Sequence, residues 1–306
     1  MRKSLGHACL ALAALAATEL ARAQFTDAHT YDNTPVGTNQ LELSYAYVRA
    51  DASLDGSLVI VGAKLHLNQG IIDYTRYFGA FRRLMWVEAG VPVARVDGSV
   101  SGTAISGATS GLGDSSYQVG ILAMGGPALG VSEFEHYEPT TTLGLSLTIT
   151  APTGAYDSNK ILNLGADRWS FKPEFALRYP FGPEKKWQLD GYANIYFFTD
   201  NTSFHGKEVL RQEPLAGLEG HVSYSFNDSV WLALDTRYAF RGSTSVDGVD
   251  QDNAQRTFAL GTELAASIDS RNSLLFEFAK ALVHDNAPDA VGFSVKYDFL
   301  WGKGYK

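Results

Sequence analysis

The stretch LTITAPTGAYDSNKILNLGADRWSFKPEFAL, residues 147–177, holds two strand-like segments separated by a long polar interruption. Apolar and polar residues alternate up to Pro152, and the alternation resumes at Trp169. Because successive side chains of a strand point to opposite faces, each segment presents one apolar face and one polar face. Whether these strands and this long loop belong to a soluble or a membrane protein is determined from the rest of the sequence.

The same alternation recurs along the whole chain. Residues 187–198, WQLDGYANIYFF, place Trp187, Leu189, Ala193, Ile195 and Phe197 on one face, and Gln188, Asp190, Tyr192, Asn194 and Tyr196 on the other. Similar segments are 41–49, 58–80, 85–97, 114–124, 141–150, 169–179, 212–226, 230–241, 256–268, 273–283 and 291–301. The pattern therefore predicts an all-β protein of about 12 strands.

Strand length separates the two all-β classes that fit this pattern. A soluble sandwich also alternates, but its strands average about five or six residues and its polar face is the outer one. Strands of roughly nine to eleven residues, with aromatic residues near the ends of the apolar face, are typical of a transmembrane barrel. In lipid only a closed sheet satisfies every backbone group. The sequence favours a transmembrane antiparallel up-and-down β-barrel, with a periplasmic sandwich as the alternative.

Loop lengths predict the topology, because outer-membrane barrels have short periplasmic turns and longer external loops. Long connections at 98–113, 151–168, 199–211, 242–254 and 284–289 alternate with periplasmic ones at 81–84, 125–140, 180–186, 227–228 and 270–272. One segment, 58–67, could form an extra strand. We interpret 58–80 as one long strand with a bulge at Asn68-Gln69-Gly70, because an odd count would place the termini on opposite sides. Fourteen strands is the alternative count.

The N-terminus has the features of an export signal. Arg2 and Lys3 precede an apolar run, and Ala21 and Ala23 have the small side chains of a cleavage site, so Gln24 is predicted to begin the mature protein. Residues 1–23 would be the signal peptide and 24–306 a single outer-membrane barrel domain, with 24–39 as a periplasmic or lumen segment. The only cysteine, Cys9, lies inside the signal, which excludes disulfides and thiolate metal ligands from the mature fold.

The mature chain is acidic. Removing Arg2, Lys3, Arg22 and Glu19 leaves 22 cations against 32 anions, a net charge of −10. Such a chain is poorly suited to binding nucleic acid, which is recognised through phosphate neutralisation.

The polar face of the strands supplies the candidate functional residues. The alternation predicts that the following side chains line the pore: Lys172, Glu174, Arg178, Asp190, Tyr192, Tyr196, Glu219, His221, Asp235, Arg237, Glu263, Glu277, Lys296 and Asp298. Opposite charges on neighbouring strands can form ion pairs that fill and stiffen the lumen. The same charges can also set pore selectivity, and the excess of carboxylates among them predicts a preference for cations that depends on Asp235 and Glu263. The rings of Tyr192 and Tyr196 are predicted to carry uncharged aromatic solutes.

Three short motifs are compatible with other chemistry. His221 and Ser223 share one face of a strand, the spacing of base and nucleophile in outer-membrane phospholipases, but Tyr224-Ser225 follows where those enzymes have Asn-Gly. The register points both side chains into the lumen, so a hydrogen-bonded lumen pair is favoured over catalysis. Residues 246–253, VDGVDQDN, concentrate Asp247, Asp250 and Asp252 but lack the full spacing of a calcium loop, so a solvated external loop is favoured. GLGD at 111–114 has no GK[ST], which favours a tight strand entry over a phosphate cradle.

Several of these stretches also resemble a known family. GLGDSSYQ at 111–118, APTGAYDSNKILNLGADRWSFKPEFAL at 151–177, LDGYANIYFFTDNTSFHGKEVLRQEPLAGLEGHVSY at 189–224 and WLALDTRYAFRGSTSVDG at 231–248 are similar to outer-membrane barrels described as the putative MetA-pathway of phenol degradation family. The resemblance implies an outer-membrane route for small aromatic or hydrophobic compounds, and it transfers no binding residues.

Taken together, the residues and the resemblance predict a passive outer-membrane channel for small hydrophobic or aromatic compounds, without enzymatic activity, cofactor or metal. A barrel of about twelve strands is too narrow for an open porin-sized pore, so loops or residues 24–39 would gate it. Expected partners are outer-membrane lipid and lipopolysaccharide, the barrel-assembly machinery and the small-molecule solute. A lipid-modifying enzyme and a structural or adhesive barrel are the alternatives.

Overall fold

The computed structural model describes residues 26–52, 63–100, 106–160 and 162–302. The predicted signal peptide, its cleavage site at Ala23 and Gln24, and residues 58–62 of the predicted second strand lie outside these ranges. Among the described residues no helix is long and apolar enough to cross a membrane.

The chain forms seventeen strands, counted over the described residues: β1 (Thr38–Ala52), β2 (Ala63–Ala80), β3 (Arg83–Val100), β4 (Ser106–Leu112), β5 (Ser116–Met124), β6 (Thr142–Thr150), β7 (Ser170–Phe181), β8 (Trp187–Phe198), β9 (Asn201–Phe204), β10 (Glu208–Gln212), β11 (Leu215–Asn227), β12 (Val230–Arg241), β13 (Thr244–Val246), β14 (Val249–Asp250), β15 (Gln255–Ser267), β16 (Asn272–Asp285) and β17 (Asp289–Gly302). A short helix, α1 (Val131–Phe134), and a 3₁₀ turn, Pro183–Lys185, lie in two of the connections.

Twelve antiparallel wall strands close into a barrel, which confirms the predicted fold class and strand count. The fourth wall strand consists of β4 and β5, and both pieces pair with β3. Closure comes from β1, which pairs with β2 on one side and with β17 on the other, from Thr38 opposite Gly302 to Asp51 opposite Asp289. Both ends of the wall therefore lie at the short-turn end, which we call the periplasmic end.

The side-chain alternation holds through the wall. On β12 the outward Leu234 is 67% exposed, whereas its neighbour Asp235 is buried inside the barrel. Outward apolar side chains face lipid and inward polar side chains fill the lumen, as the sequence pattern predicted.

Two details of the predicted topology were wrong. The bulge at Asn68-Gln69-Gly70 is absent, because β2 pairs with β1 and β3 without a register shift from Ala63 to Ala80. Residues 106–112, predicted as loop, form β4, because the β3 hairpin continues outward beyond the level of β5. The external connections 199–211 and 242–254 contain β9, β10, β13 and β14, which pair with one another as a small separate sheet.

Candidate functional site

Residues 26–37, which we call the N-terminal segment, enter the barrel from the periplasmic end. The amide of Val36 donates to Leu129 O at 2.8 Å, and the Asn33 side chain donates to Pro127 O at 3.2 Å. Both acceptors belong to the connection 125–140, which is longer than a periplasmic turn needs to be. The extra length of this connection is explained by these contacts, because they hold the part of the segment nearest the periplasmic end.

Two ion pairs tie the segment to the wall. Asp27 pairs with Lys296 of β17, and Asp32 pairs with Arg178 of β7. Burial raises the pKa of Asp32, but the Arg178 guanidinium and the contacts with His29 and Gln188 together outweigh burial and hold that pKa below its usual range. Asp32 is therefore a carboxylate at neutral pH.

Backbone amides of the segment donate to carboxylates of the wall. Thr26 N donates to Glu219 at 2.8 Å, Ala28 N to Glu263 at 3.0 Å and His29 N to Asp190 at 3.2 Å. Hydrogen bonds within proteins contribute about 0.5–1.5 kcal/mol each. Together with the two ion pairs, these bonds attach the segment to β7, β8, β11, β15 and β17 through side chains of the wall.

His29 and Asp32 form a hydrogen-bonded chain with Ser223. His29 Nδ1 lies 3.0 Å from Asp32, and Nε2 lies 2.8 Å from Ser223 Oγ. The ring stacks on Trp231 with centroids 4.4 Å apart. This is the order of groups in a serine hydrolase, but Ser223 is only 1% exposed inside the lumen, away from lipid. The arrangement fastens the segment to β11 and β12.

The predicted pair of His221 and Ser223 does not form. His221 Nδ1 lies 2.8 Å from Asp235, and Ser223 is taken by His29. Ligand atoms of His221, Asp235 and Glu263 lie within 4.8 Å of one another and could hold a metal ion. The Arg237 guanidinium lies 3.2 Å from Glu263, so this side chain already supplies a positive charge to the cluster.

All fourteen side chains predicted to line the pore lie on the inner face of the barrel, but they divide into two groups. Eight are packed around the N-terminal segment or buried beneath it: Glu174, Arg178, Asp190, Tyr192, Glu219, His221, Asp235 and Glu263. Six line an open cavity: Lys172, Tyr196, Arg237, Glu277, Lys296 and Asp298. The predicted ion pairs include one between the two groups, Lys172 with Glu174 at 3.2 Å, and one within the cavity group, Arg237 with Glu277 at 2.5 Å.

The cavity has a volume of about 640 Å³ and lies between the segment and the external loops. One side carries cations against aromatic rings, since Arg168 lies 4.4 Å from the Phe198 ring centroid and Lys172 lies 5.8 Å from that of Tyr196. Apolar side chains of the opposite wall include Ala46 and Val48 of β1.

Two members of a row of carboxylates on that opposite wall, Glu42 and Asp73, were missed from the sequence. Glu42 of β1 stands directly opposite Asp298 of β17 and Asp73 of β2, and all three line the cavity. Like charges in register repel one another. Strand alternation places Glu42 and Asp73 inward, and that signal was available in the sequence.

Asp114, in the GLGD motif, fastens the external loop that interrupts residues 147–177. One carboxylate oxygen accepts from Gly154 N at 2.8 Å, and the other accepts from Ala166 N at 2.8 Å. Asp114 is buried at the break between β4 and β5. The two arms of the loop are thereby held over the lumen.

Comparisons with solved structures agree with the barrel fold. An outer membrane channel of Pseudomonas putida F1 superposes with a TM-score of 0.79 at 23% identity, over 90% of this chain and 100% of that one. The β domain of the Bordetella autotransporter BrkA gives a TM-score of 0.55 at 11% identity, over 87% and 100%. The translocator domain of NalP from Neisseria meningitidis gives 0.55 at 10%, over 96% and 97%. These are all outer-membrane barrels.

Comparison with curated protein sequences finds no match. A family profile, in contrast, matches residues 49–297, which contain ten of the twelve wall strands in full and parts of the first and the last. The match covers far more than half of the chain. The protein therefore belongs to the family described as putative MetA-pathway of phenol degradation, an identity consistent with its barrel fold.

Proposed function

We propose that this protein is a passive outer-membrane channel for small hydrophobic or aromatic compounds, closed at its periplasmic end by the N-terminal segment. The proposal is carried by one observation: the barrel encloses a cavity of about 640 Å³, and the N-terminal segment forms the periplasmic boundary of this cavity. Side chains of the wall hold the segment in place. A segment held in this way can leave the lumen while the wall stays intact.

The cavity suits solutes of this class. Its volume lies within the range of about 300–1,000 Å³ that is usual for small-molecule sites. Tyr196 and Phe198 offer ring faces, and Ala46 and Val48 leave room because their side chains are small. Tyr192, which the sequence suggested as a second ring for solutes, is covered by the segment, and its hydroxyl donates to Asp27 O at 3.0 Å. The family description supports an aromatic solute.

Export and assembly complete the proposal. Signal cleavage after Ala23 would leave Gln24 as the first residue, two residues before Thr26 at the inner end of the segment. The mature barrel would then insert through the barrel-assembly machinery and contact lipid and lipopolysaccharide. The intact mass of protein taken from outer membranes tests the cleavage site.

Uptake by whole cells tests the function. Porin-depleted Gram-negative cells expressing the protein should accumulate a radiolabelled aromatic compound faster than cells without it, and uptake of a disaccharide should not change. Ala46→Trp places a bulky ring in the cavity and should reduce the gain, while heat-modifiable gel mobility shows that the barrel still forms. Equal uptake with and without the protein would favour the structural or adhesive alternative.

A further inference from the structure

The Tyr31 side chain fills a fitted pocket on the inner wall. Its ring packs edge-on against Trp86, with centroids 5.5 Å apart at 77°, and lies 5.5 Å from the ring of Tyr192. The hydroxyl donates to Glu174 Oε1 at 2.8 Å and lies 2.8 Å from Ser146 Oγ. Ring and hydroxyl are therefore both matched by groups of the wall.

Gly144 of β6 provides the space for the ring. A Cβ atom at this position would lie 2.2 Å from Cδ1 of Tyr31, which no real contact permits. Leu84, Leu122 and Ala176 close the apolar part of the pocket. All of these wall residues belong to β3, β5, β6, β7 and β8, whereas Tyr31 belongs to the N-terminal segment.

We propose that this pocket is a binding site for a free phenol, and that Tyr31 is its internal occupant. The side chain of tyrosine is itself a para-substituted phenol, so a pocket complementary to it is complementary to the small molecule. The inference deepens the proposed function and rests on it: a phenol that reaches the pocket takes the place of Tyr31 and removes one attachment of the segment.

The hydroxyl partners make the pocket selective. A benzene lacking the hydroxyl would fill the same volume but leave Glu174 and Ser146 without this partner in an enclosed site. Sites built to hydrogen-bond a hydroxyl discriminate strongly against analogues that lack it. The expected ligand class is therefore phenols, and unsubstituted aromatic hydrocarbons should bind less well.

Ligand binding to purified protein in detergent tests the pocket, with 4-fluorophenol as the probe and ¹⁹F NMR as the readout. Tyr31→Ala removes the occupant while Asp27, His29 and Asp32 keep the segment attached. We expect this variant to bind 4-fluorophenol about tenfold or more tighter than the wild-type protein, because the site is then free in every molecule. Fluorobenzene, which partitions into detergent but has no hydroxyl, should show no comparable gain.

Two further variants guard against misfolding and chance binding. Tyr31→Phe retains the ring but loses the hydroxyl contacts, so its affinity for 4-fluorophenol should lie between those of wild type and Tyr31→Ala. Adding Gly144→Val to Tyr31→Ala fills the pocket and should abolish the gain.

Equal affinity of wild type and Tyr31→Ala, in protein that keeps heat-modifiable mobility, would overturn the inference, and so would a gain that survives Gly144→Val. If the uptake assay fails but Tyr31→Ala binds 4-fluorophenol more tightly, the pocket is supported and the channel is rejected. Uptake of the aromatic compound, with no tighter binding of 4-fluorophenol by Tyr31→Ala, would support the channel and reject the pocket.

Discussion

At the scale of single residues, Asp114 joins the two arms of the external loop that separates β6 from β7. Its two oxygens accept from the amides of Gly154 and Ala166, and the carboxylate is buried. The sequence motif GLGD suggested only a tight strand entry. A carboxylate that binds amides 40 and 52 residues further along leaves no local periodicity to detect.

Replacing Asp114 by Ala should release this loop. Two enclosed amides lose their acceptor, at a cost of about 1–3 kcal/mol each. Limited trypsin digestion should then cut faster at Lys160, which lies in the loop, while the barrel keeps its heat-modifiable mobility. Asp157→Ala, which removes a local contact of the same loop with Asn159, is the matched control and should accelerate cleavage less. Unchanged cleavage in Asp114→Ala would show that other contacts hold the loop.

A second residue-scale prediction concerns the lipid-facing wall. Leu234→Arg places a cation on a side chain that is 67% exposed toward lipid, and it should destabilise the barrel by about 2–4 kcal/mol. Ser44→Arg introduces the same cation on the cavity side, beside Glu42, and should cost much less. Urea titration followed by gel mobility compares the two variants. The opposite ranking would mean that inner and outer faces are reversed.

At the scale of elements, the wall strands were predictable, whereas the N-terminal segment was predicted only as a periplasmic or lumen segment without its contacts. Alternation with a period of two fixes the inner and outer face of each strand, so β8 and β12 have the predicted bounds. Residues 26–37 have no such period. Their position depends on where carboxylates of distant strands meet, and single-sequence periodicity does not encode those distances. The split of the fourth wall strand into β4 and β5 escaped prediction for the same reason.

The position of the segment should depend on pH through His29. Burial lowers the pKa of His29, but the Asp32 carboxylate and the charge of Asp190 together outweigh burial, so the pKa lies above its ordinary value of 6.5. Further wall groups that face the ring are Arg178, Gln188, Ser223 and Trp231. Because the raised pKa means tighter proton binding in the docked state, protonation favours docking. This contribution is full below about pH 6.5 and is lost as the pH rises through the raised pKa.

The contribution of Asp32 to docking depends on pH in the opposite direction, because the pKa of Asp32 is lowered. Its contribution is present above its ordinary value of 3.8 and is lost only in stronger acid. The segment should therefore be held most firmly between about pH 4 and 6.5. A thiol introduced by Ala28→Cys, in a chain whose native cysteine, Cys9, lies in the predicted signal peptide, should react with a maleimide faster at pH 8 than at pH 6, after correction for the thiolate fraction. His29→Gln should remove this difference, and an unchanged difference would exclude His29 as its cause.

At the scale of the whole molecule, the cavity carries a row of carboxylates with Lys296 beside it on one wall and a pair of cations on the other. Glu42, Asp73 and Asp298 stand on one wall, and Arg168 and Lys172 stand on the other. The sequence predicted an acidic lumen but placed its selectivity at Asp235 and Glu263. Both of those side chains are buried among other charged groups and lie off the cavity.

Ionic conductance should therefore prefer cations, with the preference set by the carboxylate row. Glu42→Gln combined with Asp298→Asn should shift the reversal potential in a salt gradient toward zero. Asp269→Asn, on the exposed periplasmic turn between β15 and β16, is the matched neutralisation that should leave the potential unchanged. If Asp269→Asn shifts the reversal potential and the Glu42→Gln, Asp298→Asn variant does not, selectivity is set outside the cavity.

The central claim is that the N-terminal segment closes an otherwise continuous channel, and single-channel recording in planar bilayers tests it most directly. The variant Asp27→Asn with Asp32→Asn breaks both ion pairs between the segment and the wall. The wild-type protein should be closed for most of the recording, whereas the double variant should show long openings of larger conductance. Adding Ala28→Cys to the double variant lets maleimide labelling report whether its segment has been released. If the channel stays closed although the label shows release, the segment is not the gate.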